Sequence, residues 1–301
     1  MKTNKVLGVD IGGSHVTVAV VDLVEKLIVE GSVCRQPVNS HGTADEILSS
    51  WCNAINEARS TCTETIDHIG FAMPGPFDYE HGICLIKGFD KYETLYEMDI
   101  RQTLSSMLDI VPENIVFRND AACFLDGEIL AGAAQGHEHA IGITLGTGLG
   151  SASSLNGVTR DVELSVLQYQ GEIIEEFVST RGLIRTYKEL TGKFVANVKT
   201  LAALVYEDEQ ARTAFNTFGN RLAWFLCQFV QQENKVPEVL VIGGNIALCW
   251  NLFMPITLEQ MSAQGVHIPK IVKAENGEHA ALIGAVSPFV KINNKQKSLA
   301  L

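Results

Sequence analysis

The stretch Val6–Asp22, VLGVDIGGSHVTVAVVD, constrains this chain more than any other. Two apolar runs flank Gly12-Gly13-Ser14, and the pattern predicts a strand ending at Asp10, a tight turn, and a second strand from Val16 to Val21. Adjacent glycines permit turn angles that a side chain would forbid, and they let main-chain N–H groups approach an oxyanion. Asp10, just ahead of the turn, is placed to hold a cation beside a bound phosphate. The pattern recurs at Ala140–Leu155, AIGITLGTGLGSASSL, with Gly146, Thr147, Gly148 and Gly150 in the turn. A third glycine pair, Gly243-Gly244, followed by Asn245, closes the apolar run Val239–Ile242. One such turn is what any tight hairpin needs for backbone reasons alone. Three at strand ends, the first with an acid beside it, point to a nucleotide phosphate chain clamped between two halves.

At 301 residues, 46% of them hydrophobic, the chain can bury a core large enough for two lobes. A formal net charge of -12 argues against DNA, RNA or an anionic membrane as a partner. Cys34, Cys52, Cys62, Cys84, Cys123, Cys227 and Cys249 are odd in number and form no CxxC pair, which fits reduced thiols in a cytoplasmic protein. No apolar run reaches the ~20 residues that span a bilayer. The first strand starts so near Met1 that neither a signal peptide nor an N-terminal domain is expected.

Along the chain, Leu27–Cys34 is expected as a third strand, and Thr43-Ala-Asp-Glu46 fits a capping box opening a helix with Ile47, Leu48, Trp51, Cys52 and Ile55 on one face. Ile66–Met73 reads as a buried strand ending at the turn Pro74-Gly75-Pro76. Phe77–Asp90 reads as loop or hairpin, Thr94–Leu108 as a helix, and Asn114–Phe117 as a strand. The first lobe, residues 1–118, is therefore βββαβαβ. A second lobe, 119–279, carries an alanine-rich helix from Ala121, the second glycine hairpin, an irregular acidic stretch from Asp161 to Ser179, and helices at Gly182–Leu190, Val198–Tyr206 and Phe215–Gln232. Strands at Val239–Ile242 and Ile268–Val272 precede a helix, Glu278–Ala285. The segment from about 280 to 301 is expected to pack back on the first lobe, with a polar tail from Lys291.

Asp10-Ile-Gly-Gly13, Pro74-Gly-Pro-Phe-Asp78, Asn119-Asp-Ala-Ala122, Leu145-Gly-Thr-Gly-Leu-Gly150, Glu163, Glu175-Glu-Phe-Val-Ser179 and Val241-Ile-Gly-Gly-Asn245 run in order over nearly the whole chain. Together they resemble the ROK family of bacterial sugar kinases. The resemblance implies an α/β protein of two ribonuclease H-like βββαβαβ lobes, the actin-like ATPase plan, with a nucleotide and sugar cleft between them. It implies ATP and magnesium as cofactors, a small-molecule sugar as substrate, and a homodimer. Asp120 matches the catalytic base, and its place at a helix start is expected to keep it ionised. Asn119, Glu163, Glu175 and Gly75 match sugar contacts. Asp10 matches the residue that reaches magnesium through water, with Gly12, Gly13 and Ser14 at the phosphates. Gly146, Thr147 and Gly148 match a second phosphate loop, and Gly243, Gly244 and Asn245 the wall near adenosine.

The departures narrow what can be carried over. Many family members have a histidine three residues after the glutamate matched by Glu163; here it is Val166. The family's cysteine-rich zinc loop has no counterpart, since no cysteine lies between Cys123 and Cys227, so zinc is not expected. His137-Glu-His139 is expected to be solvated rather than metal-binding, and Lys91 to face water. The reading is an ATP-dependent kinase acting on a hexose or hexose derivative, with a catalytically silent sugar sensor as the alternative. An actin-like filament or chaperone ATPase does not explain the Asn119-Asp120 and Glu163 pattern.

Overall fold

The computed structural model of the chain describes residues 4–290. They divide into two compact units, one running to Gln135 and resuming at Glu278, the other spanning Gly136–Gly277. In the first unit β1 (Lys5–Ile11) and β2 (His15–Asp22) form the expected antiparallel hairpin, with Lys5 opposite Asp22 and Ile11 opposite Val16. The third strand is not continuous. It is split into β3 (Leu27–Ile28) and β4 (Cys34–Pro37), each antiparallel to β2. Gly31, at φ 75°, turns the chain between them, and Ser32 Oγ accepts the Val20 N–H at 3.0 Å in place of a strand carbonyl.

The helix α1 (Ala44–Ser60) starts at the capping box read from the sequence. Thr43 Oγ1 accepts the Glu46 N–H at 3.3 Å, and the Glu46 carboxylate accepts the Thr43 N–H at 2.8 Å. Its face of Ile47, Leu48, Trp51, Cys52 and Ile55 is buried in the first unit's core. β5 (Ile69–Met73) adds parallel to β1; the hairpin β6 (Phe77–Asp78) and β7 (Ile83–Cys84) and the helix α2 (Ile100–Leu108) follow. The helix expected over Thr94–Leu108 is interrupted. A 3-10 turn at Glu93–Leu95 stops, and α2 starts only after Asp99, whose carboxylate caps it by accepting the Gln102 N–H at 2.8 Å. β8 (Ile115–Asn119) then adds parallel to β5, giving the order β3–β2–β1–β5–β8, and α3 (Asp120–Ala131) leaves it directly.

The second unit repeats the opening. β9 (His139–Leu145) and β10 (Leu149–Leu155) form its glycine-turned hairpin, extended antiparallel by β11 (Val158–Asp161). The acidic stretch contains a small hairpin, β12 (Gln168–Tyr169) with β13 (Glu172–Ile173). The helices α4 (Thr180–Thr191), α5 (Val198–Leu204) and α6 (Glu209–Gln232) follow. The stripe of Phe218, Leu222, Phe225, Leu226, Phe229 and Val230 on α6 is buried as its spacing predicts. β14 (Val239–Gly243), α7 (Trp250–Ala263) and β15 (Lys270–Lys273) complete the sheet order β11–β10–β9–β14–β15, with β14 parallel to both neighbours. The helix α7 is absent from the sequence reading because Pro255 sits inside it. Proline removes one helical hydrogen bond, and here the helix is held from outside: Phe253, Met254 and Met261 are buried, and the Thr257 hydroxyl donates to the Gly219 carbonyl of α6 at 3.1 Å.

The chain then returns to the first unit as α8 (Ala280–Ala285), which packs on α3, β1 and β5. The packing is backbone against backbone. A Cβ on Gly127 of α3 would lie 2.0 Å from the Ala280 carbonyl oxygen, and one on Gly284 of α8 would lie 1.7 Å from that of Cys123. This contact places α3 in the first unit, so the division falls after Gln135, not after residue 118. The tail from Lys291 lies outside the described residues.

Candidate active site

Three parallel neighbours in the first sheet end side by side. Asp10 of β1 is opposite Ala72 of β5, and Met73 of β5 is opposite Asn119 of β8. Asp10, Gly75 in the turn after β5, Asn119 and Asp120 therefore emerge at one carboxyl edge, where open α/β sheets present their ligands. Asn119 is the N-cap of α3: its Oδ1 accepts the Ala122 N–H at 3.1 Å. Its Nδ2 donates to the Tyr79 hydroxyl at 3.4 Å, and that hydroxyl donates to the Met73 carbonyl at 3.1 Å. Tyr79 also lies over Gly75, whose Cβ would be 3.3 Å from the phenol oxygen. Asp120 occupies the first helical position, with the Ala121 N–H on its Oδ1 at 2.8 Å.

The helix start is expected to hold Asp120 ionised, but burial raises its pKa above the ordinary carboxylate value, and the Ala121 N–H and the positive charge of Lys91 only partly oppose it. Asp10 is pushed up to about 7, first by burial and then by the Asp120 carboxylate, with Arg35 opposing and Glu278 adding. Arg35 is itself paired with Glu278 at 3.0 Å, so its charge is shared. Among the described residues no cluster of three or more His, Cys, Asp or Glu is arranged to hold a metal. The donor set therefore fits a hard cation that brings most of its oxygens with it, as magnesium on a triphosphate does.

The Gly12-Gly13 turn is glycine for a different reason from the one expected. Neither residue has a positive φ. What glycine provides is space: a Cβ on Gly13 would meet nothing within 4 Å, so the backbone lies open to a ligand. Gly12 N–H donates back to the His15 carbonyl at 2.9 Å, and exposed Ser14 sets its Oγ 2.9 Å from His15 Nδ1. The Gly12 carbonyl accepts the Tyr92 hydroxyl at 2.5 Å; Tyr92 is fully buried, edge-on to Trp51 at 5.6 Å between ring centres. Tyr79 and Tyr92, which brace the edge from two loops, were not singled out by the sequence, because a lone loop tyrosine carries no period.

In the second unit Gly243 of β14 is opposite Thr144 of β9, so the turns at Gly146–Gly148 and Gly244–Asn245 leave the same sheet edge. Gly244, at φ 85°, would put a Cβ 2.4 Å from the Leu145 carbonyl oxygen, so only glycine fits. Gly146 is open in the same way as Gly13, and its carbonyl accepts the Thr180 N–H from the first turn of α4 at 2.8 Å. Thr147 and Asn245 are exposed. Glu163 is exposed and left-handed, at φ 49°, with its N–H on Asp161 Oδ1 at 2.9 Å. Val166, 60% exposed, ends the short turn that follows. Both oxygens of Glu175 are engaged, Oε2 by the Leu149 N–H at 2.9 Å and Oε1 by Arg181 at 3.2 Å, so it braces the glycine turn. The two histidines expected to be solvated are paired with acids: His137 with Glu238 at 3.1 Å, and buried His139 with Glu233 at 2.9 Å.

Two sheets, each opened by a glycine-turned hairpin and each ending in turns at one carboxyl edge, define a protein of the actin-like ATPase fold. A solved ROK family glucokinase from Streptomyces griseus, in complex with glucose and AMPPNP, superposes with a TM-score of 0.77 at 22% identity, over 93% of this chain and 97% of its own. The ROK family model matches residues 6–161 and 169–291, and the chain belongs to that family. It is similar to glucokinase of Thermotoga maritima (23% identical, over 94% of this chain and 96% of that protein). It is also similar to N-acetyl-D-glucosamine kinase of Histophilus somni (22%, over 94% and 98%).

Proposed function

We propose that the chain is an ATP-dependent sugar kinase that transfers the γ-phosphate to a hydroxyl of a hexose or hexose derivative, specifically the 6-hydroxyl. The observation that carries this is Asp120: a half-buried carboxylate of raised pKa, at the carboxyl edge that also holds Asp10 and the open glycine turn. A general base works best when its pKa approaches the operating pH, and such help is typically worth ~10²–10⁴ in rate. Asp120 takes the proton of the attacking hydroxyl. The new O–P bond forms as the bridging bond to the γ-phosphorus breaks, and ADP leaves with that electron pair. Open backbone at Gly13 and at Gly146 suits phosphate oxygens, and Asp10 suits magnesium reached through water. Magnesium, when bound, neutralises phosphate charge that Asp10 and Asp120 alone would repel.

Asn119, Gly75 and Glu163 are assigned to the sugar. Glu175 can join them only by giving up the Leu149 N–H or Arg181. Support for a sugar comes from the names of the relatives, a glucokinase and an N-acetylglucosamine kinase, and from the glucose and ATP analogue held by the Streptomyces structure. Hexoses, N-acetylated hexosamines and β-glucosides remain the candidate classes, since Val166 offers no hydrogen bond where many of the family carry histidine. The same valine favours a second reading, a sugar sensor without turnover.

The test is ADP release from ATP and magnesium across glucose, mannose, fructose, N-acetylglucosamine, N-acetylmannosamine and a β-glucoside, with Asp120→Asn beside the wild type. Turnover on one sugar, lowered in Asp120→Asn by ~10² or more while sugar binding is kept, is the expected result. Sugar binding by calorimetry without turnover would move the assignment to the sensor.

A further inference from the structure

The loop around Lys91 does not hang in water. Asp90 does, with a fully exposed side chain, but Lys91 beside it is half-buried. Tyr92 draws the loop onto the glycine turn through its hydroxyl bond to Gly12, and its N–H donates to the Ser40 carbonyl at 2.7 Å. On the other side the Glu93 carboxylate accepts the N–H groups of Phe89 and Asp90 at 2.9 and 3.3 Å. Asp90 and Tyr92 are both left-handed, at φ 54° and 56°. Non-glycine residues rarely adopt that conformation, and it persists where the surroundings enforce it. Lys91 sits between them, so its backbone is held from both flanks.

Its ammonium has no ion pair or hydrogen bond among the described residues. It acts instead on the Asp120 carboxylate, and it is the cation whose charge opposes the effect of burial there. The Tyr92 bond to Gly12 thus sets Lys91 beside the phosphate turn, and its charge is felt at the base. On the kinase reading, the γ-phosphoryl group passes between those two places. The edge already carries Asp10, Asp120 and Glu278, and Arg35 is committed to Glu278. Of the two described cations that act on Asp10 and Asp120, Arg35 and Lys91, Lys91 is the one without an ion pair.

We propose that Lys91 is a catalytic residue: its ammonium contacts the transferred phosphoryl group and stabilises the charge spread over its equatorial oxygens. Lys91 stays protonated throughout; the hydroxyl proton still goes to Asp120 and the bridging electron pair still leaves with ADP. A fixed cation aimed at developing charge, in a site that excludes water, contributes ~10²–10³ in kcat. The inference rests on the kinase reading, and the experiment separates the two. If the wild type turns over no sugar, the kinase reading fails and this inference fails with it.

On a sugar that the wild type does phosphorylate, Lys91→Met is expected to lose ~10²–10³ in kcat, with KM for sugar and ATP changed by less than about threefold. Methylamine added to Lys91→Ala should restore part of the turnover, which a merely structural role would not allow. Binding of ADP with aluminium fluoride and sugar, which mimics the transferring group, should weaken in Lys91→Met while binding of the ATP analogue is kept. Lys91→Arg, which retains the charge and serves as the folding control, should keep more activity than Lys91→Met. A Lys91→Met kcat within about threefold of wild type, or a loss confined to sugar KM, overturns the proposal while leaving the kinase standing.

Discussion

Asp126→Asn strips the negative charge from a buried cluster behind the proposed base. Arg118, the residue before Asn119-Asp120, donates from Nη1 to the Asp126 carboxylate and to Ser287 Oγ at 2.5 Å, with the Gly284 carbonyl at 3.4 Å. Ser287 in turn donates to Asp126 Oδ2 at 2.5 Å, joining β8, α3 and the segment after α8. The Arg118 and Asp126 side chains are 18% and 5% exposed, so water cannot replace the lost partner. Removing one member of a buried ion pair costs ~3–5 kcal/mol, because the other charge is left uncompensated. Native stability is typically only ~5–15 kcal/mol, so about a fifth of it or more is at stake. Urea unfolding followed by far-ultraviolet circular dichroism reads this as a fall in midpoint of roughly 1–2 M at a slope of about 3 kcal/mol/M. Replacing both partners, Arg118→Met with Asp126→Leu, should recover much of the loss, since an apolar pair of similar volume leaves no charge buried. A midpoint for Asp126→Asn within error of wild type would refute the reasoning. So would a double variant no better than the single.

Gly284→Ala should cost about 3 kcal/mol or more, because its Cβ would lie 1.7 Å from the Cys123 carbonyl oxygen and neither backbone can yield without parting α3 from α8; a calorimetric melting point close to wild type contradicts the close packing. The raised pKa of Asp120 sets the acid limb of kcat/KM: the base works as the carboxylate, so activity falls as pH drops through that pKa, at a pH above the ordinary carboxylate value of ~3.9. A profile flat down to that value would remove Asp120 as the base.

What the sequence made legible was local. The two glycine hairpins, the Thr43–Glu46 capping box and the α6 stripe each declare themselves within a few residues, and each is where its pattern puts it. The motifs put Asp10, Gly75 and Asn119 at strand ends, but the strand order that brings them to one edge comes only from the structure. Features set by distant residues, or by a cap hidden inside a helical pattern, were missed. Asp99 reads as one more polar position on a helical face, although its carboxylate starts a new helix; Pro255 hides α7, which is stabilised through α6. The raised pKa of Asp120 comes first from burial, and no motif encodes that. Glu175 matched a sugar contact by order along the chain, and only the geometry reveals its bonds to Leu149 and Arg181.

Asp10 shows how far the edge departs from what folding alone would select. Its neighbours on β1, Val9 and Ile11, are buried and apolar, and an uncharged residue would sit between them at no electrostatic cost. Instead a carboxylate stands there, disfavoured by burial and by a second carboxylate, Asp120, with Glu278 adding to the repulsion. Arg35 offsets this only through a charge it shares with Glu278, and Lys91 acts on Asp120 rather than on Asp10. The edge therefore holds more negative charge than its own cations balance, before any phosphate arrives. A bare phosphate would deepen the imbalance. A triphosphate carrying a divalent cation reverses it, because the metal favours the charged form of Asp10 and brings the oxygen ligands that the protein does not supply. On the proposed kinase reading, the open backbone at Gly13 and the acid two residues before the glycine pair are halves of one site for a metal-bound nucleotide.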